Sequence, residues 1–214
     1  MTVSILLVDD HAVVREGYRR LLERTPDIQV VAEAGDAEEA YRAFCELAPD
    51  VVVMDINLPG TSGVEVTRRI MARETHARVL VFSMHDDAMF ARRALQAGAR
   101  GYVTKASAPE VLVEAVRAVA SGKVYLSQDV AQQLALQTIP GQQLPLANLS
   151  AREFEVFRLL AEGRSVTDIA QIMCLSQKTI ANYQSSIRQK LELTNAAQIV
   201  RLAMSHGLLD SDLP

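Results

Sequence analysis

The spacing of apolar positions divides the first half of the chain into two alternating textures. Short apolar runs at Val3–Val8, Ile28–Ala34, Val51–Asp55, Val79–Ser83 and Gly101–Thr104 have the length and composition of strands. Between and after them, residues 12–24, 36–48, 63–74, 87–97 and 107–121 repeat apolar positions near the 3.6 period, as in Val111, Leu112, Ala115, Val116 and Val119, and predict amphipathic helices. The strands are too continuously apolar for one wet face, so the repeated strand–helix unit predicts a parallel sheet covered on both sides. Right-handed crossovers make that sheet doubly wound.

The texture shifts at Gly122. Residues 122–148 hold six glutamines, two prolines and only two charges, Lys123 and Asp129, which reads as a connector with a short helix at 127–136. Its stretch Gln137–Ala147, with Pro140, Gly141 and Pro145, is the expected flexible part. Beyond it the pattern is helical. Ser150 followed three residues later by Glu153 is a capping box opening a helix at 151–161, which Gly163 stops. Further helices are expected at 165–172, at 176–191 capped by Ser176, and at 195–206 capped by Thr194 or Asn195. The turn at 173–175 between two of them is the spacing of a helix-turn-helix. The expected domains are therefore 1–121 and 149–214, joined by 122–148.

With 49% hydrophobic and 22% charged residues, 10 glycines and 7 prolines, the chain is neither collagenous nor low-complexity. Its two cysteines, Cys45 and Cys174, form neither a Cys-x-x-Cys motif nor a disulfide framework, so a reducing, cytoplasmic setting is expected. No basic stretch precedes the first apolar run, and no run approaches the roughly 18 residues of a membrane span, so neither a signal peptide nor a membrane association is expected. The net charge of −4 is unevenly placed. Residues 1–121 carry 14 Lys/Arg against 18 Asp/Glu, whereas residues 150–214 carry 7 of each, so the acidity lies in the first half.

Ligands of a doubly wound sheet gather at the carboxyl ends of its strands. The polar residues expected there are Asp9, Asp10, Asp55, Ser83 and Lys105. Three carboxylates at one edge repel one another unless a cation is present, and the set suits Mg²⁺, a hard ion that takes carboxylates, waters and phosphate oxygens. A lysine and a hydroxyl complete a site for a phosphoryl group, and a carboxylate can itself be the nucleophile that forms an aspartyl phosphate. Asp55 is the best candidate, because its strand is expected beside that of Asp9 and Asp10.

At these residues the sequence resembles the receiver domain of two-component response regulators, over about residues 3–121. The motifs are Leu7-Val8-Asp9-Asp10-His11, Val53-Met54-Asp55-Ile56-Asn57-Leu58-Pro59-Gly60, Phe82-Ser83 and Gly101-Tyr102-Val103-Thr104-Lys105. The resemblance implies a flavodoxin-like (βα)5 fold with Asp55 as phosphoacceptor. It implies Mg²⁺ held by Asp9, Asp10, Asp55 and the backbone carbonyl of Asn57, with Ser83 and Lys105 contacting the phosphoryl oxygens. Tyr102 stands where the family has an aromatic switch residue, and as plainly where a strand would half-bury a ring. Ala106 departs from the proline that often follows the lysine in a cis bond, so a trans bond is expected there. His11 and His85 flank the site without partners at metal-ligand spacing and are read as rim polarity.

In the helix at 176–191, Ile180, Tyr183, Ile187 and Leu191 form an apolar stripe, leaving Lys178, Ala181, Asn182, Ser185 and Gln189 on the opposite face. Lys178, Arg188 and Lys190 give the segment +3 with no acid. Asn and Gln pair bidentately with adenine, so Asn182 and Gln189 are candidate base readers, while Lys178 and Arg188 suit phosphates. Residues 149–206 resemble the LuxR-type helix-turn-helix of NarL/FixJ-type response regulators. The motifs are Leu149-Ser150-x-Arg152-Glu153-x-Glu155-Val156, Gly163, Ile169-Ala170, Leu175-Ser176-x-Lys178-Thr179-Ile180, Ile187 and Lys190-Leu191.

That resemblance implies a four-helix domain whose helix from Ser176 enters the major groove. Lys178, Thr179, Ala181, Asn182, Ser185, Arg188 and Gln189 would then be its DNA-facing residues. It also implies a last helix that contacts a second copy, here through Ala196, Ile199, Val200 and Ala203, residues equally suited to packing inside the domain. Family members often carry a basic residue at the places of Ala181 and Ser185, and often glycine at that of Cys174. The implied function is a transcription regulator, not an enzyme. Its implied partners are a sensor histidine kinase, paired half-sites on double-stranded DNA and a second copy of the chain, at least when phosphorylated or on DNA. A phosphatase or phosphotransferase could use the same carboxylates, but no Gly-x-x-x-x-Gly-Lys-[Ser/Thr], Gly-x-Gly-x-x-Gly or Gly-x-Ser-x-Gly motif occurs. A receiver whose helical half binds protein or RNA is the other rival.

Overall fold

The computed structural model describes residues 2–59, 61–85, 88–136, 145–173, 175–206 and 208–209. The chain separates into two units, Met1–Ala135 and Leu136–Pro214. In the first, the strands β1 (Val3–Val8), β2 (Ile28–Ala34), β3 (Val51–Met54), β4 (Val79–Ser83) and β5 (Gly101–Thr104) alternate with the helices α1 (Ala12–Glu23), α2 (Ala37–Leu47), α3 (Gly63–Arg73), α4 (Ala88–Gln96) and α5 (Pro109–Ala120). All lie within two residues of the bounds expected from the apolar pattern.

The sheet is parallel, in the order β2-β1-β3-β4-β5-β6, where β6 is Tyr125–Leu126. Successive strand residues feed opposite faces, as the two-residue period of a strand requires. Ile5, Leu7, Val51, Val53, Leu80, Phe82 and Val103 pack with Leu22 of α1 and with Leu112, Ala115, Val116 and Val119 of α5. Leu6, Val8, Val52, Met54 and Val79 pack instead with Ala37, Ala40 and Phe44 of α2 and with Val66 and Ile70 of α3. Strand order reverses at β1, between β2 and β3, so a crevice opens at the carboxyl ends of β1 and β3, where Asp9, Asp10 and Asp55 follow.

One expectation changes. Sequence texture placed the end of the first unit at residue 121, but Tyr125 and Leu126 pair with Gly101 and Tyr102, and α6 (Gln128–Leu136) follows at once. Two residues are too few to show a strand period, and the glutamine-rich helix carries only one buried residue, Val130, so its texture resembled a linker. Part of the expected flexible stretch, residues 137–144, lies outside the described residues, as do Gly60 and Cys174.

The second unit opens with a 3₁₀ turn, Pro145–Asn148, and continues with α7 (Ala151–Ala161), α8 (Val166–Ile172), α9 (Gln177–Lys190) and α10 (Ala196–Ser205). The Ser150–Glu153 capping box is formed, Gly163 takes a left-handed φ of 79° after α7, and Ser176 caps α9. Asn195, rather than Thr194, caps α10, with Gln198 reciprocating. Helices α7, α8 and α9 pack on one another and α10 packs on α7, with Val156, Phe157, Ile169, Ile180, Ile187, Ile199 and Ala203 all buried.

Candidate functional site

Four of the six strands, β1, β3, β4 and β5, end at the expected polar residues. Asp9 and Asp55 directly follow β1 and β3 and are almost fully buried, and Ser83 ends β4 with no exposure at all. Lys105 follows β5, and its ammonium lies 2.6 Å from Asp9 Oδ2 and 2.6 Å from Asp55 Oδ2. These three groups are separated by 50 and 96 positions in the chain yet form one charge-assisted hydrogen-bond cluster. Burial pushes the Asp55 carboxyl up, an effect that Lys105 opposes without cancelling. Burial alone would lower the Lys105 ammonium, but Asp55 and Asp9 outweigh it and raise its pKa, so the lysine is a cation throughout the neutral range.

Asp10 stands at the rim, and His11 Nδ1 lies 2.7 Å from its Oδ1. His11 is exposed at the rim, as its reading as rim polarity has it, but Asp9, Asp10 and His11 bring ligand atoms within 4.8 Å of one another, so it does have carboxylate partners at metal-ligand distance. The oxygen donors of Asp9 and Asp10 suit a hard divalent ion, and receiver domains generally bind Mg²⁺ at such an acidic pocket; Asp55 lies outside that group of ligand atoms and is bonded to Lys105. Asn57 N donates to Asp55 Oδ1 at 3.3 Å, which folds the β3–α3 loop back over the carboxylate.

The hydroxyl end of the cluster is tied to His85. Ser83 Oγ accepts from His85 N at 3.2 Å, the Tyr102 hydroxyl donates to His85 O at 2.7 Å, and His85 Nε2 lies 3.2 Å from Asn57 Oδ1. The His85 ring stacks on Phe90 of α4, centroids 4.0 Å apart. Tyr102 is wholly buried rather than half-buried, and its hydroxyl donates to that carbonyl. His85 therefore joins the loops after β3 and β4 to α4 and to Tyr102, a role its position in the sequence does not reveal. The backbone contains no cis peptide bond among the described residues, so Lys105–Ala106 is trans as expected.

Gly63 escaped the sequence reading. A β-carbon there would stand 1.8 Å from the Asp55 carbonyl oxygen, and Gly63 N donates to Ile56 O at 2.8 Å. The first residue of α3 thus packs directly against the backbone that carries Asp55, and only glycine permits that approach.

In the helical unit, Lys178, Ala181, Asn182, Ser185, Arg188 and Gln189 of α9 are exposed and Thr179 is half-buried, while Ile180 and Ile187 are fully buried. Ser185 Oγ donates to Ala181 O at 3.0 Å and so retains only acceptor capacity outward. Lys190 is not part of a free basic face. Its ammonium lies 2.7 Å from Glu153 Oε2, and Ser186 Oγ donates to Glu153 Oε1 at 2.6 Å, so Glu153 both closes the capping box of α7 and anchors α9. Burial works to raise the Glu153 carboxyl, but Lys190, Ser186 and Ser150 hold it well down, at about 2. On α10, Ile199 and Ala203 are buried within the unit, which corrects their assignment to a contact with a second copy. α10 packs against α7. Ala196 is exposed and Val200 half-buried.

Taken together, the acidic crevice of a doubly wound sheet with a lysine bridging two carboxylates, followed by a helix-turn-helix unit with an exposed polar face on α9, defines a receiver joined to a nucleic-acid-binding module. The response regulator receiver domain matches residues 5–117, and the bacterial regulatory protein luxR family matches residues 147–203. The chain is 45% identical over 210 residues to the transcriptional activator protein ExaE of Pseudomonas putida, covering 97% of this chain and 98% of that one. It is 38% identical over 211 residues to the response regulator GacA of Pseudomonas aeruginosa, covering 98% and 99%. The structure of RcsB from Salmonella enterica serovar Typhimurium, bound to promoter DNA in the presence of the phosphomimetic BeF₃⁻, superposes with a TM-score of 0.78 at 27% identity, covering 96% of this chain and 100% of that one. The chain belongs to the response regulators that carry a receiver domain and a LuxR-type DNA-binding domain. These are transcriptional regulators rather than enzymes, and they act with histidine kinases and DNA. No helix among the described residues is long and apolar enough to cross a membrane.

Proposed function

We propose that a sensor histidine kinase phosphorylates Asp55 and that the modification controls how α9 engages paired half-sites on double-stranded DNA. The observation that carries this reading is the Lys105 ammonium 2.6 Å from both Asp9 and Asp55. A buried cation holds the Asp55 carboxylate in place and is positioned to neutralise charge on oxygens that arrive there. Asp9, Asp10, Asp55 and the Asn57 carbonyl would hold Mg²⁺, which when bound offsets the negative charge of the carboxylates and of a phosphoryl group. An Asp55 oxygen attacks phosphorus, the bond to the kinase histidine nitrogen breaks, and an acyl phosphate forms. Lys105 pairs with its equatorial oxygens, and Ser83 donates its hydroxyl to one of them.

Ser83 Oγ also accepts from His85 N, and the His85 carbonyl accepts from Tyr102, so movement of Ser83 toward a phosphoryl oxygen pulls on the segment that holds Tyr102. Ser83 and Tyr102 are thereby the levers by which a phosphoryl group favours one of two arrangements of the first unit. The chemistry belongs to side chains within residues 1–121 and DNA reading to 149–214; of the segment between, residues up to 135 complete the first unit and the rest is the connection. Lys178 and Arg188 contact phosphates, Asn182 and Gln189 read bases, and Thr179, Ala181 and Ser185 complete the facing surface. A second copy, engaged when the chain is phosphorylated or on DNA, meets α10 through Ala196 and Val200. The setting is the cytoplasm, where kinase domain and DNA are both accessible. Selection of bound duplexes from a random pool tests the reading: one two-fold related pair of half-sites, enriched more strongly with acetyl phosphate and Mg²⁺, is expected, and absence of any enrichment contradicts it.

A further inference from the structure

The turn that carries Lys105 is braced from outside the crevice. Thr104, the residue before the lysine, is buried, and its Oγ1 lies 2.9 Å from Asp129 Oδ2 and 2.9 Å from Ser107 Oγ. An ionised carboxylate only accepts, so Thr104 donates to Asp129 and accepts from Ser107. The backbone closes the same turn, with Ser107 N donating to Thr104 O at 3.0 Å and Lys105 N to Ser83 O at 2.7 Å. Ala106 contributes no ring to stiffen the turn, so its shape rests on these hydrogen bonds.

Asp129 is itself firmly placed. It lies in the first turn of α6, whose approach is fixed by the pairing of Tyr125 and Leu126 with β5 and by Ser127 N donating to Tyr102 O at 3.0 Å. Burial acts to raise its carboxyl, but the neighbouring Ser127 and Thr104 hydroxyls outweigh that and lower it, consistent with an ionised acceptor at neutral pH. The chain Ser107–Thr104–Asp129 therefore runs from the β5–α5 turn to the element after which the chain leaves the first unit.

We propose that Asp129 is a positioning residue for phosphoryl transfer to Asp55: it fixes the Thr104–Ser107 turn and through it the Lys105 ammonium. The proposal rests on Asp55 as phosphoacceptor and extends the working parts of the site into α6. Without the carboxylate, the buried Thr104 donor loses its acceptor and the turn relaxes. Small displacements of a positioned charge are felt strongly in transfer reactions.

The test uses the full chain with acetyl phosphate and Mg²⁺, following phosphoaspartate by mass spectrometry. Asp129→Ala and Thr104→Val should each lower the maximal labelling rate about three- to tenfold while the half-saturating Mg²⁺ concentration stays unchanged. The double variant should be no slower than Thr104→Val alone, because both remove one interaction. Asp129→Asn, which keeps an acceptor oxygen, should recover most of the rate even if Asp129→Ala folds poorly. Glu114→Ala, on the same cleft but bonded to Tyr125, should label at the unmodified rate. An unmodified rate in Asp129→Ala, additive losses in the double variant, or no recovery with Asp129→Asn overturns the proposal while leaving Asp55 as acceptor. Undiminished labelling of Asp55→Asn removes the underlying reading instead, and the proposal with it.

Discussion

Gly63 abuts Asp55 so closely that a β-carbon on the glycine would sit 1.8 Å from the aspartate carbonyl oxygen. The contact lets α3 begin against the loop after β3, and its first residue bonds back to Ile56. Gly63→Ala should cost about 1–3 kcal/mol of stability, since overpacking against backbone leaves no flexible side chain to yield. It should also slow acquisition of phosphate at Asp55. Urea unfolding and labelling with acetyl phosphate measure the two losses, and an alanine variant unchanged in both would contradict the contact.

Lys105 joins Asp9 and Asp55 as a buried cation between two buried carboxylates. Lys105→Met should destabilise the chain by about 3–5 kcal/mol in the presence of a chelator, because both carboxylates are left without their counter-ion. Mg²⁺ should then raise the unfolding midpoint of the variant more than that of the unmodified chain, by binding a site with one cation fewer. Equal shifts in the two proteins would show that the lysine and the metal do not share these carboxylates.

Glu153 ties Ser150, at the start of α7, to Ser186 and Lys190 on α9. Its carboxyl is held at about 2, below the ordinary value of 4.5, so its ionised form favours the folded state. That contribution is complete above about pH 4.5 and is lost as the pH falls toward 2. Glu153→Gln should lower stability by about 1–3 kcal/mol at pH 7 and converge on the unmodified protein near pH 2 in denaturant titrations. A difference that does not narrow on acidification would exclude the ionised carboxylate as its source. DNA affinity at neutral pH should fall as well, since α9 loses its anchor.

On the exposed face of α9, Asn182→Ala should change which base is preferred at one position of the half-site, at about 1–3 kcal/mol of discrimination. Lys178→Ala should weaken binding to every duplex alike and reduce its salt dependence. Binding series over single-base variants at several salt concentrations separate the two patterns, and equal loss by both variants on all duplexes would leave Asn182 without a reading role.

The strands and most helices were legible because their apolar periods are long and unmixed, and the polar residues at the strand ends followed from the topology. What escaped the sequence depends on contacts between distant segments. The two-residue strand at Tyr125–Leu126 has no period of its own and exists because β5 offers an edge. Gly63 resembles any helix-starting glycine until the backbone of Asp55 is placed beside it. Glu153 is visible as a cap three residues from Ser150, but its partners Ser186 and Lys190 lie 33 and 37 positions away, which also removed Lys190 from the apparent basic face. Ile199 and Ala203 share a stripe that suits either a partner or the interior, and the structure buries both within the unit, where α10 packs on α7.

Phosphorylation of Asp55 as the event that changes DNA binding can be tested on the intact chain. The most direct measurement incubates the intact chain and Asp55→Asn with acetyl phosphate and Mg²⁺, locates the acyl phosphate by mass spectrometry, and titrates both proteins against a selected duplex. Modification confined to Asp55, with tighter binding by the unmodified chain alone, is the predicted result. Phosphate on another residue, or the same gain in affinity for Asp55→Asn, would contradict it.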